Sequence, residues 1–302
     1  MTHVLQTPGP TRRMRRLWRL INGVLLRTAA TTLICGFLSA ALVRLSPGFG
    51  LEEAQLDARL SSGTQDALRH AHDEERNPAW FYVTYIRRIF TGDFGFSRSL
   101  NQPIRDLLAQ RAPETVTLIG SGIVGAWLIA LSLAIVPMFL HLPRLARGCT
   151  VFSGVSASIP AGGIALLLFR FGGSASLIMA VILFPRLYQY LRNLLHQAYG
   201  MPHVLLAKAK GLADHRILLA HVLRPTRAQL LALAAVSINM AFGAAVAIEA
   251  ICDLPGIGQL AWKAALARDI PVLVSLTMII SLTTQTSNLV AEACSPTLRS
   301  RT

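Results

Sequence analysis

AKAKGLADHRILLAHVLRP, residues 207–225, is a basic, polar interruption in a chain that is otherwise mostly apolar. The 302 residues are 53% hydrophobic and 15% charged, whereas a soluble domain carries about a quarter charged residues. With a mean hydropathy of +0.49, the chain reads as an all-α, polytopic membrane protein. A polar stretch of this length is tolerated only outside the lipid, so what 207–225 touches becomes the question. The net charge of +14 fits basic cytoplasmic loops, which bias orientation, and nucleic acid is not an expected partner.

A span takes about 20 mainly apolar residues. Six stretches qualify: 22–45, 115–140, 149–170, 174–193, 228–249 and 271–293. The expected layout starts with a basic cytoplasmic N-terminus (1–21), a first transmembrane helix (22–45) and an extracytoplasmic segment (46–114). A five-helix core (115–293) follows, with a cytoplasmic loop at 194–227, and then a cytoplasmic tail (294–302). The start, MTHVLQTPGPTRRMRRLWRL, is basic and runs into the first span without a small-residue cleavage site. It reads as an uncleaved helix and not as a signal peptide.

Basic residues set the orientation. The inner segments hold Arg12, Arg13, Arg15, Arg16, Arg19, Arg144 and Arg147, then Arg192, Lys208, Lys210, Arg216, Arg224 and Arg227, and finally Arg299 and Arg301. The short outer segments offer only Lys263 and Arg268, so both termini are expected inside. The long segment EEAQLDARLSSGTQDALRHAHDEERNPAWFYVTYIRRIFTGDFGFSRS (52–99) reads as a short helical subdomain. A helix in NPAWFYVTYIRRIF is broken at TGDFG, and the Asp and Glu clusters form a solvated face.

Within the opening stretch, HVLLAKAKG reads as a helix stopped at Gly211, a residue that takes left-handed backbone angles without penalty. LADHRILLAHVL starts a second helix, with Asp214 in its first turn and Pro225 close to its end. Two short amphipathic helices joined at a glycine fit either an interfacial hairpin whose Lys and Arg meet membrane lipid, or a docking element for a cytoplasmic protein.

The stretch resembles the EAA loop of ABC-importer permeases, in the variant of the dipeptide, oligopeptide and nickel group. Three further segments resemble that family in the same order: GDFGFSRSLNQPIRDLLAQRAPETVTL (92–118), EAICDLPGIGQLAWKAALARDIPVL (249–273) and SNLVAEACSPTLRSR (287–301). The resemblance implies a type I importer permease of the bacterial inner membrane, multi-pass. It implies pairing with a second homologous permease, two ATPase subunits below and an extracytoplasmic solute-binding protein above. It also implies peptides as cargo, with nickel or another small solute as the alternative. Residues 207–225 would be the coupling element: Ala207, Gly211 and Leu212 match the family loop, and His221, Leu223 and Arg224 match its second helix. Small Ala207, Ala209 and Gly211 would allow close backbone approach, while Lys208, Lys210 and Arg216 would steer the encounter with an acidic partner. The chain departs from the family at Phe49, where an acidic residue is usual, at Pro225 directly after Arg224, at Gln229, and at Ser295–Pro296.

No G-x-x-x-x-G-K-[ST] phosphate loop occurs, so ATPase activity is expected on partner subunits and the chain is not itself expected to be an enzyme. Cys35, Cys149, Cys252 and Cys294 stand singly, without metal-ligand or redox spacing, and no cofactor is expected. GVSAS is not a nucleophile elbow. An ion-coupled secondary transporter would need inverted repeats and broken helices around a mid-membrane site, and the sequence displays neither.

Four residues are candidates for the pathway or a gate. Arg186 follows Pro185 in the fourth apolar run, where an arginine costs about 2.5–3.5 kcal/mol on insertion scales. It either snorkels or lines the pathway, and Pro185 leaves a helix carbonyl needing a donor. Asn239 and Gln285, with Asn288 nearby, fit interhelical hydrogen bonds or pathway lining. Glu249, at the outer end of the fifth run, fits a gate or an anchor. The small residues of GSGIVGAW and SGVSASIPAGG point to close helix packing. His196, His203, His215 and His221 read as solvated or capping residues.

Overall fold

The computed structural model describes residues 10–45, 78–140 and 142–294. The rest of the expected extracytoplasmic segment (46–77, with Phe49), the extreme N-terminus and the tail beyond Cys294 lie outside the described residues. Those described are helical, joined by turns and one isolated bridge between Phe96 and Pro103. Helices α1 (Pro10–Leu45), α2 (Pro78–Phe90), α3 (Ile104–Phe139), α4 (Pro143–Ser158), α5 (Ala161–Arg170), α6 (Ala175–Tyr199) and α7 (Pro202–Ala209) come first. One continuous helical path follows: α8 (Asp214–Arg216), a π-helical stretch (Ile217–Leu223) and α9 (Arg224–Ile251). Helices α10 (Ile257–Leu266) and α11 (Ile270–Cys294) end the order.

Helix starts follow local chemistry. Pro143 and Pro202 stand in the first turn of α4 and α7, where a missing N–H costs nothing. Ser174 caps α6 by accepting the Leu177 N–H at 3.3 Å. The helix expected in NPAWFYVTYIRRIF is α2, closed by a turn with Gly92 at φ +83.

Among the described residues, three helices are long and apolar enough to cross a membrane: α3, the path Asp214–Ile251, and α11 over Ile270–Ala291. The third expected span, 149–170, is not one rod. It is broken into α4 and α5 at an angle of 100°, and only as a bent pair do these make a fourth crossing. The cause is Pro160, whose ring pushes Ile159 into an extended conformation (φ −81, ψ 131) and ends α4. The sequence reading of unbroken helices is thereby corrected.

The chain divides into two compact units. In the first, Met1–Asp93 with Leu273–Gln285, α1 packs against α2, and the middle of α11 belongs with them. Gly36 leaves room for the Tyr82 hydroxyl and Met278, Tyr82 donates to the Leu33 carbonyl, and Thr277 Oγ1 donates to Ser39 Oγ at 3.2 Å. In the second, Phe94–Val272 with Thr286–Thr302, the core lies between α3, α6 and α9, around Ile178, Leu183, Leu187, Tyr188, Ala245 and Ile248. A Cβ at Gly122 would stand 2.1 Å from Met179 Cγ, and one at Gly125 would stand 3.0 Å from Ala180 Cβ. The small residues of GSGIVGAW thus let α3 and α6 approach, the usual basis of helix association where lipid removes the hydrophobic drive.

Candidate functional site

The segment expected to couple, residues 207–225, stands on a small core of its own. Leu195, Ala198, Val204, Ala207, Ile217, Leu218 and Val222 are buried together, with Phe139, Tyr199, Leu212 and Leu223 packed against them. Between α7 and α8 the backbone reverses at Gly211, whose φ of +70 lies where only glycine is unstrained. The expected second helix is not separate. It runs through the π-helical stretch directly into α9, and Pro225 lies inside this path rather than at its end.

The reason Pro225 is tolerated is visible. Its missing N–H deprives the carbonyl of His221, four residues earlier, of its usual donor. His203 on α7 supplies one: its Nε2 lies 3.0 Å from the His221 carbonyl oxygen. A carbonyl only accepts, so this nitrogen carries the hydrogen. Thr226 Oγ1 likewise donates to the Val222 carbonyl at 2.7 Å. Proline, π turn and histidine together fasten α7 to the path leading into α9.

The predicted coupling residues separate by exposure. Ala207 is buried, Leu212 and Leu223 are half-buried against the small core and His221 is half-buried, while Lys208, Ala209, Lys210, Gly211, Arg216 and Arg224 are exposed. Lys208 Nζ sits 5.3 Å from the centre of the Tyr199 ring, a cation–π contact. Burial, with the Asp214 carboxylate adding to it, pushes the Tyr199 phenol up. Leu205 and Leu206 are 55% and 58% exposed, so α7 presents an apolar strip flanked by lysines.

Arg186 and Asn239 are brought together. Both line a cavity of about 330 Å³ bounded by α4, α5, α6 and α9, at the bend made by Pro160. The backbone beneath Arg186 is held: Ser153 Oγ donates to the Pro185 carbonyl at 2.8 Å and accepts from Gln189 Nε2 at 3.3 Å. Asn239 Nδ2 donates to Asn288 Oδ1 at 2.7 Å, as interhelical bonding anticipates, but Asn239 Oδ1 is buried with no partner.

Glu249 and Gln285 hold other places. Gln285 Nε2 donates to Thr31 Oγ1 of α1 at 2.9 Å. Glu249 is fully buried and fastens two of the family-like segments. Its Oε1 accepts from Thr115 Oγ1 at 2.7 Å, and its Oε2 from the N–H groups of Gly258 (2.6 Å) and Gln259 (3.2 Å) in the first turn of α10. The Ile257 N–H donates to Thr115 Oγ1 at 2.8 Å, closing the ring. Pro-Gly-Ile-Gly fits here because a Cβ at Gly256 would lie 2.1 Å from Glu249 Oε2, and one at Gly258 would lie 2.6 Å from Val246 Cα.

Asp269 does the same for the Arg-Asp-x-Pro segment. Its Oδ2 accepts from Ser97 Oγ (2.6 Å), Ser99 N (3.0 Å) and Ser99 Oγ (2.9 Å), pinning the turn before α3 to the start of α11. His203 was expected only as a solvated or capping residue, and Thr115, Ser97, Ser99, Ser153 and Asp269 were assigned no role from the sequence. Pro225, which leaves a carbonyl without its donor, is the signal that could have found the bond His203 makes.

Comparison with known proteins bears on the whole arrangement. The chain is 22% identical over 284 residues to the oligopeptide transport system permease protein AppB of Bacillus subtilis, covering 84% of this chain and 90% of that one. It is 24% identical over 300 residues to the nickel import system permease protein NikB of Staphylococcus aureus, covering 91% and 88%. The fold matches a chain of the MetNI methionine ABC transporter, solved in inward-facing conformations, with a TM-score of 0.53 at 19% identity over 62% of this chain and 96% of that one. Residues 114–300, which include 207–225, Arg186, Asn239 and the Glu249 ring, match the family model of the binding-protein-dependent transport system inner membrane component, and the chain belongs to that family.

Proposed function

We propose that this chain is one permease subunit of an ATP-driven importer that brings peptides across the bacterial inner membrane. It forms the pathway with a second, related permease, receives solute from an extracytoplasmic binding protein and is driven by two separate ATPase subunits. Six spans cross the membrane with both termini in the cytoplasm: α1, α3, the bent pair α4 and α5, α6, the path through α9, and α11. Family membership and the AppB relative support the assignment. Nickel or another small solute is the second reading, favoured by the NikB relative. Against it, the described residues hold no group of His, Cys, Asp and Glu able to bind a metal ion.

The observation that carries the coupling role is α7 and Gly211, seated on a core of their own with Leu205, Leu206 and Lys210 turned outward. This surface enters a groove of one ATPase, and Lys208, Lys210 and Arg216 guide the encounter. Ala207, Leu212, His221 and Leu223 act from behind as the support that keeps the element stiff, and exposed Arg224 adds to the basic surface. Glu249 and Gln285 act as anchors. In the assembled complex, a Leu206→Cys variant is expected to form a disulfide with a cysteine placed in an ATPase groove, while Ala207→Cys, facing the core, forms none. Efficient cross-linking from Ala207→Cys with none from Leu206→Cys would reverse the assignment of faces and refute the docking surface.

A further inference from the structure

We propose that the cavity at the Pro160 bend is a recognition site for the carboxylate of a solute in transit, with Arg186 as its counter-ion. The inference rests on the reading of the chain as a permease, and it names the class of solute the membrane step accepts: organic acids and zwitterions, not bare cations.

The cavity has the make-up of a small-molecule site. Its volume of about 330 Å³ falls in the range such sites occupy, and its wall joins apolar residues, Ile164, Leu183 and Met240 among them, to an equal share of polar surface. Against that wall stand two placed polar side chains. Arg186 lines the cavity and is exposed to it, and it makes no hydrogen bond or ion pair among the described residues. A guanidinium is always charged and presents a planar fork matched to a carboxylate. The main chain at its base is fixed through the Ser153 bond to the Pro185 carbonyl, while the guanidinium is left without a partner to displace.

Asn239 complements it. One end of its amide is committed to Asn288, and its Oδ1 acceptor is buried without a partner, so an N–H donor from the cavity meets it once the side chain turns. A carboxylate for Arg186 and a nearby amide N–H for Asn239 are the two groups at the C-terminal end of a peptide. The break in the backbone adds to the field. Ala161, the first residue of α5, lines the cavity, and no side chain caps that helix, so its positive end reinforces Arg186. Glu249, the nearest acidic group along α9, is fully buried with both oxygens engaged and offers nothing to a cation here.

The test uses the complete importer in proteoliposomes and compares uptake of trialanine with that of trialanine amide. The binding protein is the same in every assay, so a change in the ratio of the two rates reports the permease alone. Two variants are informative. Arg186→Gln removes the charge. Gly243→Asp introduces a carboxylate into the cavity wall, at a position where a Cβ meets nothing within 4 Å. Basal ATP hydrolysis reports assembly.

Both variants are expected to lower uptake of the free acid about tenfold or more while changing that of the amide less than twofold, and Arg186→Lys to keep most of the preference. An equal loss of both peptides, or no loss of either, in the variants that assemble overturns the site. If the wild-type importer carries neither peptide, the peptide reading fails separately. The carboxylate site is then judged with nickel chelated by histidine against nickel chelated by histidinamide. Loss of preference in Arg186→Gln supports it, and an unchanged preference overturns it.

Discussion

At Glu249 three donors converge on a side chain with no solvent exposure, and the two glycines beside it are there for different reasons. Gly256 makes room for the carboxylate itself, whereas Gly258 makes room for the backbone of α9 at Val246. A double-mutant cycle separates them. Glu249→Ala strands the buried donors that bonded its carboxyl group, a loss of about 1–3 kcal/mol for each donor left unsatisfied. Gly256→Ala in the intact protein overpacks the site at a cost of about 1–3 kcal/mol. In the Glu249→Ala background the same methyl fills the space just vacated, and its cost is expected to fall to about 0.5 kcal/mol or less, the mark of two coupled residues. Gly258→Ala remains damaging in both backgrounds because its obstacle is main chain. Unfolding midpoints of the four proteins in detergent decide this. Equal costs of Gly256→Ala in both backgrounds would mean that the carboxylate is not what the glycine accommodates.

Among the elements, the joint between α7 and α9 depends on one exchange, in which His203 gives the His221 carbonyl the hydrogen that Pro225 cannot. Replacing His203 by Ala is expected to cost about 1 kcal/mol, the net value of one such bond. In a Pro225→Ala background the main-chain N–H is restored, so His203→Ala should become close to neutral. Thermal melts of the single and double variants measure the difference, and an undiminished cost in the double variant would show the histidine to be acting through packing. Much of the helical layout was legible as apolar runs bounded by basic loops, and the end of α7 at Gly211 was marked by the glycine itself. The bend at Ile159–Pro160 was not, because an apolar composition continues straight through it and hides the change of direction. Pro225 misled in the opposite sense. It looked like a terminator because its rescue comes from a histidine 22 positions away, a partnership no local pattern encodes. For the same reason Asp269 stayed silent until its partners Ser97 and Ser99, some 170 residues earlier, were seen around it.

For the molecule as a whole, the proposed function puts ATP hydrolysis on partner subunits and has them drive the permease through residues 207–225. Uptake by the reconstituted importer is therefore expected to need ATP on the cytoplasmic side and to be indifferent to ionophores that collapse proton and sodium gradients. The broken pair α4 and α5 gives that control particular value, since interrupted helices also occur in ion-coupled carriers. Ionophore-sensitive uptake that persists without ATP would place the driving force in an ion gradient instead.

The π-helical stretch has a consequence for how this chain tolerates changes of length. Bonding from i to i+5 takes one residue more per turn than the α pattern, so Ile217–Leu223 stores a surplus residue within the path Asp214–Ile251. Deleting a single residue there lets the backbone relax to ordinary α geometry while everything downstream keeps its angular phase. The same deletion between 228 and 248 swings the distal end by about 100° and turns Glu249 away from the loop it secures. A one-residue deletion in this helix is thus absorbed at the π-helical stretch and breaks the alignment when it falls further along.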